Sequence, residues 1–154
     1  MKLKIAIVCA VALLTVGCTK EVSSNQATTQ AEASITPEAK SVAQVPLSGK
    51  FVAAEHPTMG MVSVVTENGK NYIELDEAFK TNNGPDLFVI LHRSEKPPVS
   101  GIKEEDYVSI GRLQKVSGTQ RYAIPANVNP ADFRSVAIWC RQFNATFGFA
   151  LLSS

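Results

Sequence analysis

One cysteine stands out among the residues of this 154-residue chain that could carry chemistry. Cys140 lies in the apolar run at residues 135–151, whereas Cys9 and Cys18 lie close to the N-terminus. Exposed thiols in an oxidising compartment become paired, capped or damaged, so an unpaired cysteine is unusual in an exported protein. We therefore expect Cys140 to be either buried and inert or retained for redox chemistry.

Redox chemistry at Cys140 requires thiolate character, which a neighbouring cation or hydrogen-bond donor supplies. Arg141 is adjacent in sequence, but in a regular strand its side chain points to the opposite face. The folded part of the chain has no second thiol to resolve a sulfenic acid, so a redox cycle needs an external partner or a cofactor. The alternative is that Cys140 packs as a small buried hydrophobe, as free cysteines often do.

Histidine and methionine are the other side chains that could bind a metal or haem. His56, Met59 and Met61 follow one another closely, and His92 ends an apolar segment. Blue-copper sites place cysteine, histidine and methionine on one loop, but no histidine or methionine follows Cys140. Covalent haem attachment is also excluded, because the chain has no Cys-x-x-Cys-His motif. The identity of any cofactor is open.

A remaining alternative is that Cys140 binds haem non-covalently, with His56 or a water molecule on the opposite side of the iron. Cys140 and His56 are thus the cofactor-binding candidates. His56 and Met59 are only weak metal candidates, and no metal site is predicted. The structural alternative makes His56 a loop residue, Met59 and Met61 core residues, and His92 a solvated strand end.

The N-terminus indicates export and lipid attachment. Lys2 and Lys4 precede an uncharged run at residues 5–16, which is too short to span a bilayer but is typical of a signal peptide. The following Leu-Thr-Val-Gly-Cys18 resembles a bacterial lipoprotein signal. We expect residues 1–17 to be removed and Cys18 to be acylated, which would anchor the protein to a membrane. The alternative is an ordinary cleaved signal peptide.

The predicted location is extracytoplasmic. Thr19 stands where enterobacterial lipoproteins kept at the inner membrane carry aspartate, so the outer membrane or the cell surface is favoured. Without Lys2 and Lys4 the chain has 13 basic and 14 acidic residues and no basic cluster, which argues against nucleic-acid binding. Hydrolase motifs are absent, so an electron-transfer or binding domain is favoured over a stand-alone enzyme.

Composition divides the remaining chain into a linker and one domain. Residues 18–47 are rich in small and polar residues, lack aromatic residues, and are expected to be a flexible tether. Residues 48–154 have the length of a single domain. Their strand-like segments alternate with Gly, Asn and Pro, as in residues 61–65 and 71–75 around a turn at 67–69. We predict an all-β fold: an antiparallel β-sandwich, or flattened barrel, of about 7–9 short strands.

The C-terminal segment is predicted to form an apolar stripe if one strand register continues. The residues of this stripe are Ala137, Trp139, Phe143, Ala145, Phe147, Phe149 and Leu151. Cys140 lies on the opposite face, where that face changes from apolar to polar. A β-bulge or corner near Asn144 would break this register.

Over residues 48–151 the chain resembles the DM-thirteen domain family, often labelled an electron-transfer domain. The order and spacing of several short motifs carry the resemblance. They are Gly49-x-Phe51 with His56 and Gly60, Asn83-Gly-Pro-Asp86-Leu87, Ile110-Gly-x-Leu113, Gly118-x-Gln120-x-Tyr122-x-Ile124-Pro125, and Val136-x-Ile138-Trp-Cys140 with Phe143 and Phe147-Gly-x-Ala150. The resemblance implies a β-sandwich in which Cys140 acts in redox chemistry, as a bare thiol or by holding a group such as haem. It also implies a redox partner.

Overall fold

The computed structural model describes residues 46–154, which form ten β-strands and two short 3-10 turns. The strands are β1 (Ser48–Ala53), β2 (Thr58–Met59), β3 (Met61–Glu67), β4 (Lys70–Leu75), β5 (Lys80–Thr81), β6 (Leu87–His92), β7 (Tyr107–Arg112), β8 (Gln120–Ala123), β9 (Ser135–Cys140) and β10 (Ala145–Leu151). The 3-10 turns are Glu104–Asp106 and Pro130–Asp132. The prediction of an all-β fold is confirmed.

Eight strands form one antiparallel sheet in the order β7-β6-β9-β10-β1-β3-β4-β8, and β2 pairs with β5. The sheet curls into a nearly closed barrel, so the flattened-barrel form of the prediction describes it best. The gap between the edge strands β7 and β8 is bridged by side chains. Tyr122 Oη accepts the Gln114 backbone N–H at 3.0 Å and donates to Gln120 Oε1 at 2.7 Å. The same Gln120 oxygen accepts the Lys115 N–H at 2.9 Å.

The hairpin of β3 and β4 forms as the sequence predicts. Its turn places Asn68 and Gly69 at positive φ, 51° and 73°, the backbone that a two-residue Asn-Gly turn requires. Strand alternation then buries Val62, Val64 and Ile73 inside the barrel. Burial of such apolar side chains is the main force that closes the sheet.

Two apolar clusters lie on opposite faces of the sheet. The larger interior cluster fills the barrel and includes Phe51, Leu91, Val136, Ile138, Cys140 and Phe147. The smaller outer cluster consists of Ile90, Ile102, Ala137 and Trp139. Residues 93–106, which connect β6 to β7 and which we call the strap, cover the outer cluster with Ile102.

The C-terminal hairpin of β9 and β10 corrects the predicted apolar stripe. The register shifts between Thr146 and Gly148, so a β-bulge interrupts β10 and the strand does not keep one alternation. The turn at residues 141–144 pairs Ala145 with Cys140, so Ala145 and Phe147 belong to the interior cluster. After the bulge, Phe149 pairs with Ala137 and packs on the outer face with Trp139. A single continuous register was therefore the wrong assumption.

The predicted signal peptide at residues 1–17, acylated Cys18 and nearly all of the predicted tether at 18–47 lie outside the described residues. Leu47 is described, and it packs against the interior cluster. Its carbonyl accepts the Val64 backbone N–H at 2.7 Å. No helix among residues 46–154 has the length and apolar character needed to cross a membrane.

Candidate functional site

Cys140 is the last residue of β9 and is completely buried, with 0% of its surface exposed. Its side chain belongs to the interior cluster. Its direct cross-strand neighbours are Leu87 of β6 and Ala145 of β10. The thiol therefore lies at one end of the barrel interior, among apolar side chains, and does not face solvent.

The end of the barrel next to Cys140 is closed by tight apolar packing. A Cβ added at Gly84 would lie 2.8 Å from both Leu87 Cδ2 and Phe147 Cζ, so any larger residue there would displace these two side chains. The ring of His56 packs on Phe147 with a centroid distance of 3.9 Å, and its backbone N–H donates to the Phe147 carbonyl at 3.0 Å. Of the sequence-predicted candidates, His56 is thus connected to the thiol's cluster through Phe147.

Arg141 leaves the strand on the solvent side, as its sequence position predicts. Its Nε donates to Asp86 Oδ2 at 2.8 Å, and Arg112 donates to the other Asp86 oxygen. Both guanidinium groups lie over the ring of Phe88, at 4.6 Å for Arg141 and 5.6 Å for Arg112. Asp86 is therefore the acceptor of two ion pairs. Neither arginine supplies a charge inside the barrel, where Cys140 lies.

Asn144 organises the turn that follows Cys140, a role that the sequence did not reveal. It adopts a positive φ of 47°, which asparagine tolerates better than most residues. Its Oδ1 accepts the Trp139 indole N–H at 3.0 Å and the Ile102 backbone N–H at 3.1 Å, and its Nδ2 donates to the Ile102 carbonyl at 3.0 Å. One side chain thus ties the turn, the outer cluster and the strap together.

Further hydrogen bonds fasten the strap to the sheet. Thr146 Oγ1 donates to the Pro98 carbonyl at 2.6 Å, and the Thr146 N–H donates to the Val99 carbonyl at 2.7 Å. Ser135 Oγ donates to the Ser94 carbonyl at 2.7 Å. Thr146 and Ser135 are both fully buried, so these bonds satisfy side chains that water cannot reach.

The expectation that His92 is a solvated strand end is wrong, because only 1% of its surface is exposed. Its Nδ1 accepts the Ser94 backbone N–H at 3.0 Å, so the neutral ring carries its proton on Nε2. Nε2 is buried and has no hydrogen-bond partner. Burial lowers the pKa of His92 below its usual value, while the nearby Asp106 acts in the opposite direction. A ring in this tautomer is not set up to bind a metal through Nε2.

The expectation that Met59 and Met61 are core residues is also wrong. Both are among the exposed large hydrophobic side chains of the domain. Met59 lies in the two-residue strand β2, while the ring of His56 packs on Phe147. Within residues 46–154, no three His, Cys, Asp or Glu side chains are grouped so that they could hold a metal ion.

Haem does not fit at Cys140 as the residues are packed. Two surface cavities described for residues 46–154 have volumes of about 210 and 200 Å³, and Cys140 lines neither. The thiol is enclosed by the strands on both sides and by the packing of Gly84 against Phe147. A planar macrocycle could reach the sulfur only if this end of the barrel were rebuilt.

A family model described as electron transfer DM13 matches residues 50–152, two thirds of the sequence and nearly all of the barrel. The chain belongs to the electron transfer DM13 family. This membership supports a general role in redox chemistry or electron transfer. No curated protein and no solved structure matches the chain significantly.

The structure explains two of the motifs that the chain shares with this family. Gln120 and Tyr122 form the seam that joins the edges of the barrel. Gly84 and Asp86 shape the end of the barrel, Gly84 through its contact with Phe147 and Asp86 through its two arginine partners. Both motifs thus have structural roles in the barrel.

Proposed function

We propose that this protein is an extracytoplasmic electron-transfer domain, anchored to a membrane through acylated Cys18, in which Cys140 is the redox group. The family membership of residues 50–152, which include Cys140, carries the proposal. The N-terminal sequence adds a predicted export signal, and Cys140 is the one thiol among residues 46–154. A redox partner protein supplies and accepts the electrons.

Burial sets a condition on any chemistry at Cys140. Oxidation of a thiol by one electron gives a thiyl radical, with the electron passing to the oxidised partner and a proton passing to a base. Among residues 46–154 the one fully buried base is His92, which lies on the outer face with Ile90, away from the thiol. The proton therefore passes to water, which has to enter the end of the barrel by a local opening.

The experiment compares electron exchange in the wild type with that in Cys140→Ala. The mature chain is purified in neutral detergent, and its reaction with hexachloroiridate(IV), a one-electron oxidant strong enough to oxidise a thiol to a thiyl radical, is followed by absorbance. We expect the wild type to reduce about one equivalent more than the variant, with both showing the same circular dichroism. Equal reduction by the two proteins would contradict a redox role for Cys140. His56→Gln is a matched control, because it alters the packing on Phe147 but leaves the thiol.

The membrane anchor has a separate test. Replacing Cys18 by Ala removes the acylation site, so we expect the protein to move from the membrane fraction to the soluble fraction. Retention of the Cys18→Ala protein in the membrane fraction would contradict anchoring at this residue. The measurement also distinguishes a lipid anchor from an ordinary cleaved signal peptide, which would release the wild type as well.

A second candidate is a non-catalytic binding module in which Cys140 is part of the core. The complete burial of its side chain in the interior cluster favours this function. In that case Cys140→Val, which keeps a small apolar side chain, retains the function of the protein in the cell. Loss of function in a stably folded Cys140→Val protein would exclude this candidate.

A further inference from the structure

The outer surface beside Cys140 carries exposed arginines on an aromatic base. Arg112 and Arg141 are 62% and 58% exposed, whereas their shared partner Asp86 is only 14% exposed. The Asp86 carboxylate is therefore largely shielded from solvent, whereas the two guanidinium groups are exposed. Lys115 adds a third, because it lines the cavity of about 200 Å³ that Arg112 also lines. We call Phe88, Arg112, Arg141 and the exposed turn residues Gln142 and Phe143 the arginine face.

An exposed aromatic side chain lies next to these charges. Phe143 is 65% exposed, more than any other large apolar residue in the described domain. Its turn is held rigidly, because the neighbouring Asn144 is hydrogen-bonded to Trp139 and Ile102. Aromatic residues and arginine are both enriched in protein interfaces relative to the rest of the surface.

The arginine face is also close to Cys140 along the chain. Arg141 follows Cys140 directly, and Phe88 lies opposite Trp139, the residue before it. The rings of Phe88 and Trp139 are 6.5 Å apart. A partner bound here would therefore be separated from the thiol by little more than the thickness of the sheet.

We propose that the arginine face is the docking surface for an acidic protein that carries electrons. The inference rests on the proposed function and names the chemistry of its partner. Charge complementarity favours an acidic surface, since the exposed charges at this face are positive while the chain as a whole is nearly neutral. Phe143 supplies the apolar contact at the centre. Complexes of electron carriers are small and transient, so a face of this size suffices.

The test uses two carriers of opposite charge, an acidic [2Fe–2S] ferredoxin and a basic c-type cytochrome. Each is titrated into the mature chain in neutral detergent, and binding is followed by amide chemical shifts at low salt. We expect the ferredoxin to bind with shifts centred on the arginine face, and the cytochrome to bind at least tenfold more weakly. Equal binding of the two carriers, or shifts centred elsewhere, would overturn the proposal.

Single-charge variants of an exposed residue sharpen the test without removing any contact. Gln142→Lys should strengthen ferredoxin binding and Gln142→Glu should weaken it, each by about two- to threefold at low salt and by much less at high salt. Lys70→Gln is the matched control, because it removes one positive charge in the β3–β4 turn at the other end of the barrel. A control effect as large as that of Gln142→Glu would contradict docking at this face.

Phe143→Ser separates the apolar contribution from the charges. We expect it to weaken ferredoxin binding at low and high salt alike, because apolar contacts are not screened. No effect at either salt concentration would remove Phe143 from the interface. Binding is also measured in Cys140→Ala. If docking persists in Cys140→Ala but wild type and variant reduce the same amount of hexachloroiridate(IV), the redox role alone is contradicted. If the wild-type thiol is active but no docking is seen, this inference alone is contradicted.

Discussion

The two faces of β9 are covered in different ways. On the inner face Val136, Ile138 and Cys140 pack only against other apolar side chains inside the barrel. On the outer face Ser135 and Trp139 are covered by the strap, which hydrogen bonds hold in place.

The two faces of β9 therefore depend on different interactions for their stability. The inner face depends on close packing, which any loss of volume weakens for the whole domain. The outer face depends on a few polar contacts and a buried histidine, so it can be loosened by a single side chain or by pH. Cys140 lies on the inner face, but the turn that follows it is fixed from the outer face by Asn144.

The largest expected effect is on the inner face. Ile138→Ala should lower the free energy of unfolding by about 3–4 kcal/mol, because Ile138 is fully buried and its removal leaves a cavity. Urea denaturation measures this change, and the midpoint should fall without loss of cooperativity. A loss below about 1 kcal/mol would mean that the barrel interior is not closely packed.

Asn144→Ala tests the outer face and should lower the free energy of unfolding by about 2 kcal/mol. The substitution removes three hydrogen bonds and places alanine at positive φ. Asn144→Gly is the matched control, since glycine tolerates the backbone but also lacks the hydrogen bonds. Hydrogen exchange should accelerate in the strap while the β3–β4 hairpin stays protected. Uniform acceleration across the barrel would mean that the two faces are not independent.

Acid should destabilise the outer face through His92. Because burial lowers the folded pKa of His92, the unfolded chain binds the proton more tightly. Stability is therefore fully present above about pH 6.5, the ordinary histidine value, and is lost as pH falls from there towards the folded pKa. We therefore expect the domain to be less stable at pH 5.5 than at pH 7.5. The pH dependence of the free energy of unfolding should vanish in His92→Gln and persist in His56→Gln. A pH dependence unchanged by His92→Gln would contradict its assignment to His92.

Cys140→Ala should have the smallest effect, about 1 kcal/mol, because it removes one buried sulfur atom from an apolar site. Cys140→Ser should cost more, since it buries a hydroxyl group among side chains that offer no partner. Thermal unfolding of the two variants shows which of them is less stable. A serine variant as stable as the alanine variant would indicate that water already reaches this end of the barrel.

The sequence predicted the parts of the fold that depend on local alternation. The β3–β4 hairpin follows from its Asn-Gly turn, and β6 follows from its continuous apolar run. The face occupied by Phe147 and the burial of His92 did not follow, because the first depends on the turn at residues 141–144 and the second on the strap that folds over it. Both are consequences of tertiary packing that residue spacing does not record.

The candidate site was predictable in its position but not in its surroundings. Cys140 and the outward direction of Arg141 followed from counting along one strand. Asn144 was missed as an organising residue, although an asparagine in a short turn is a signal for positive φ. The two arginine partners of Asp86 come from β7 and from the turn after β9, so pairing across the sheet was needed to reveal them.

The most direct test of the central claim is the rate at which the native Cys140 thiol becomes accessible. Iodoacetamide labelling of the mature chain, followed by mass spectrometry, is compared with the global unfolding rate measured in urea and extrapolated to water. The account predicts that labelling is slow but faster than global unfolding. It also predicts that oxidation of Cys140 by hexachloroiridate(IV) is limited by the same local opening. Labelling only at the rate of global unfolding would contradict a redox role for Cys140 and leave it as a residue of the core.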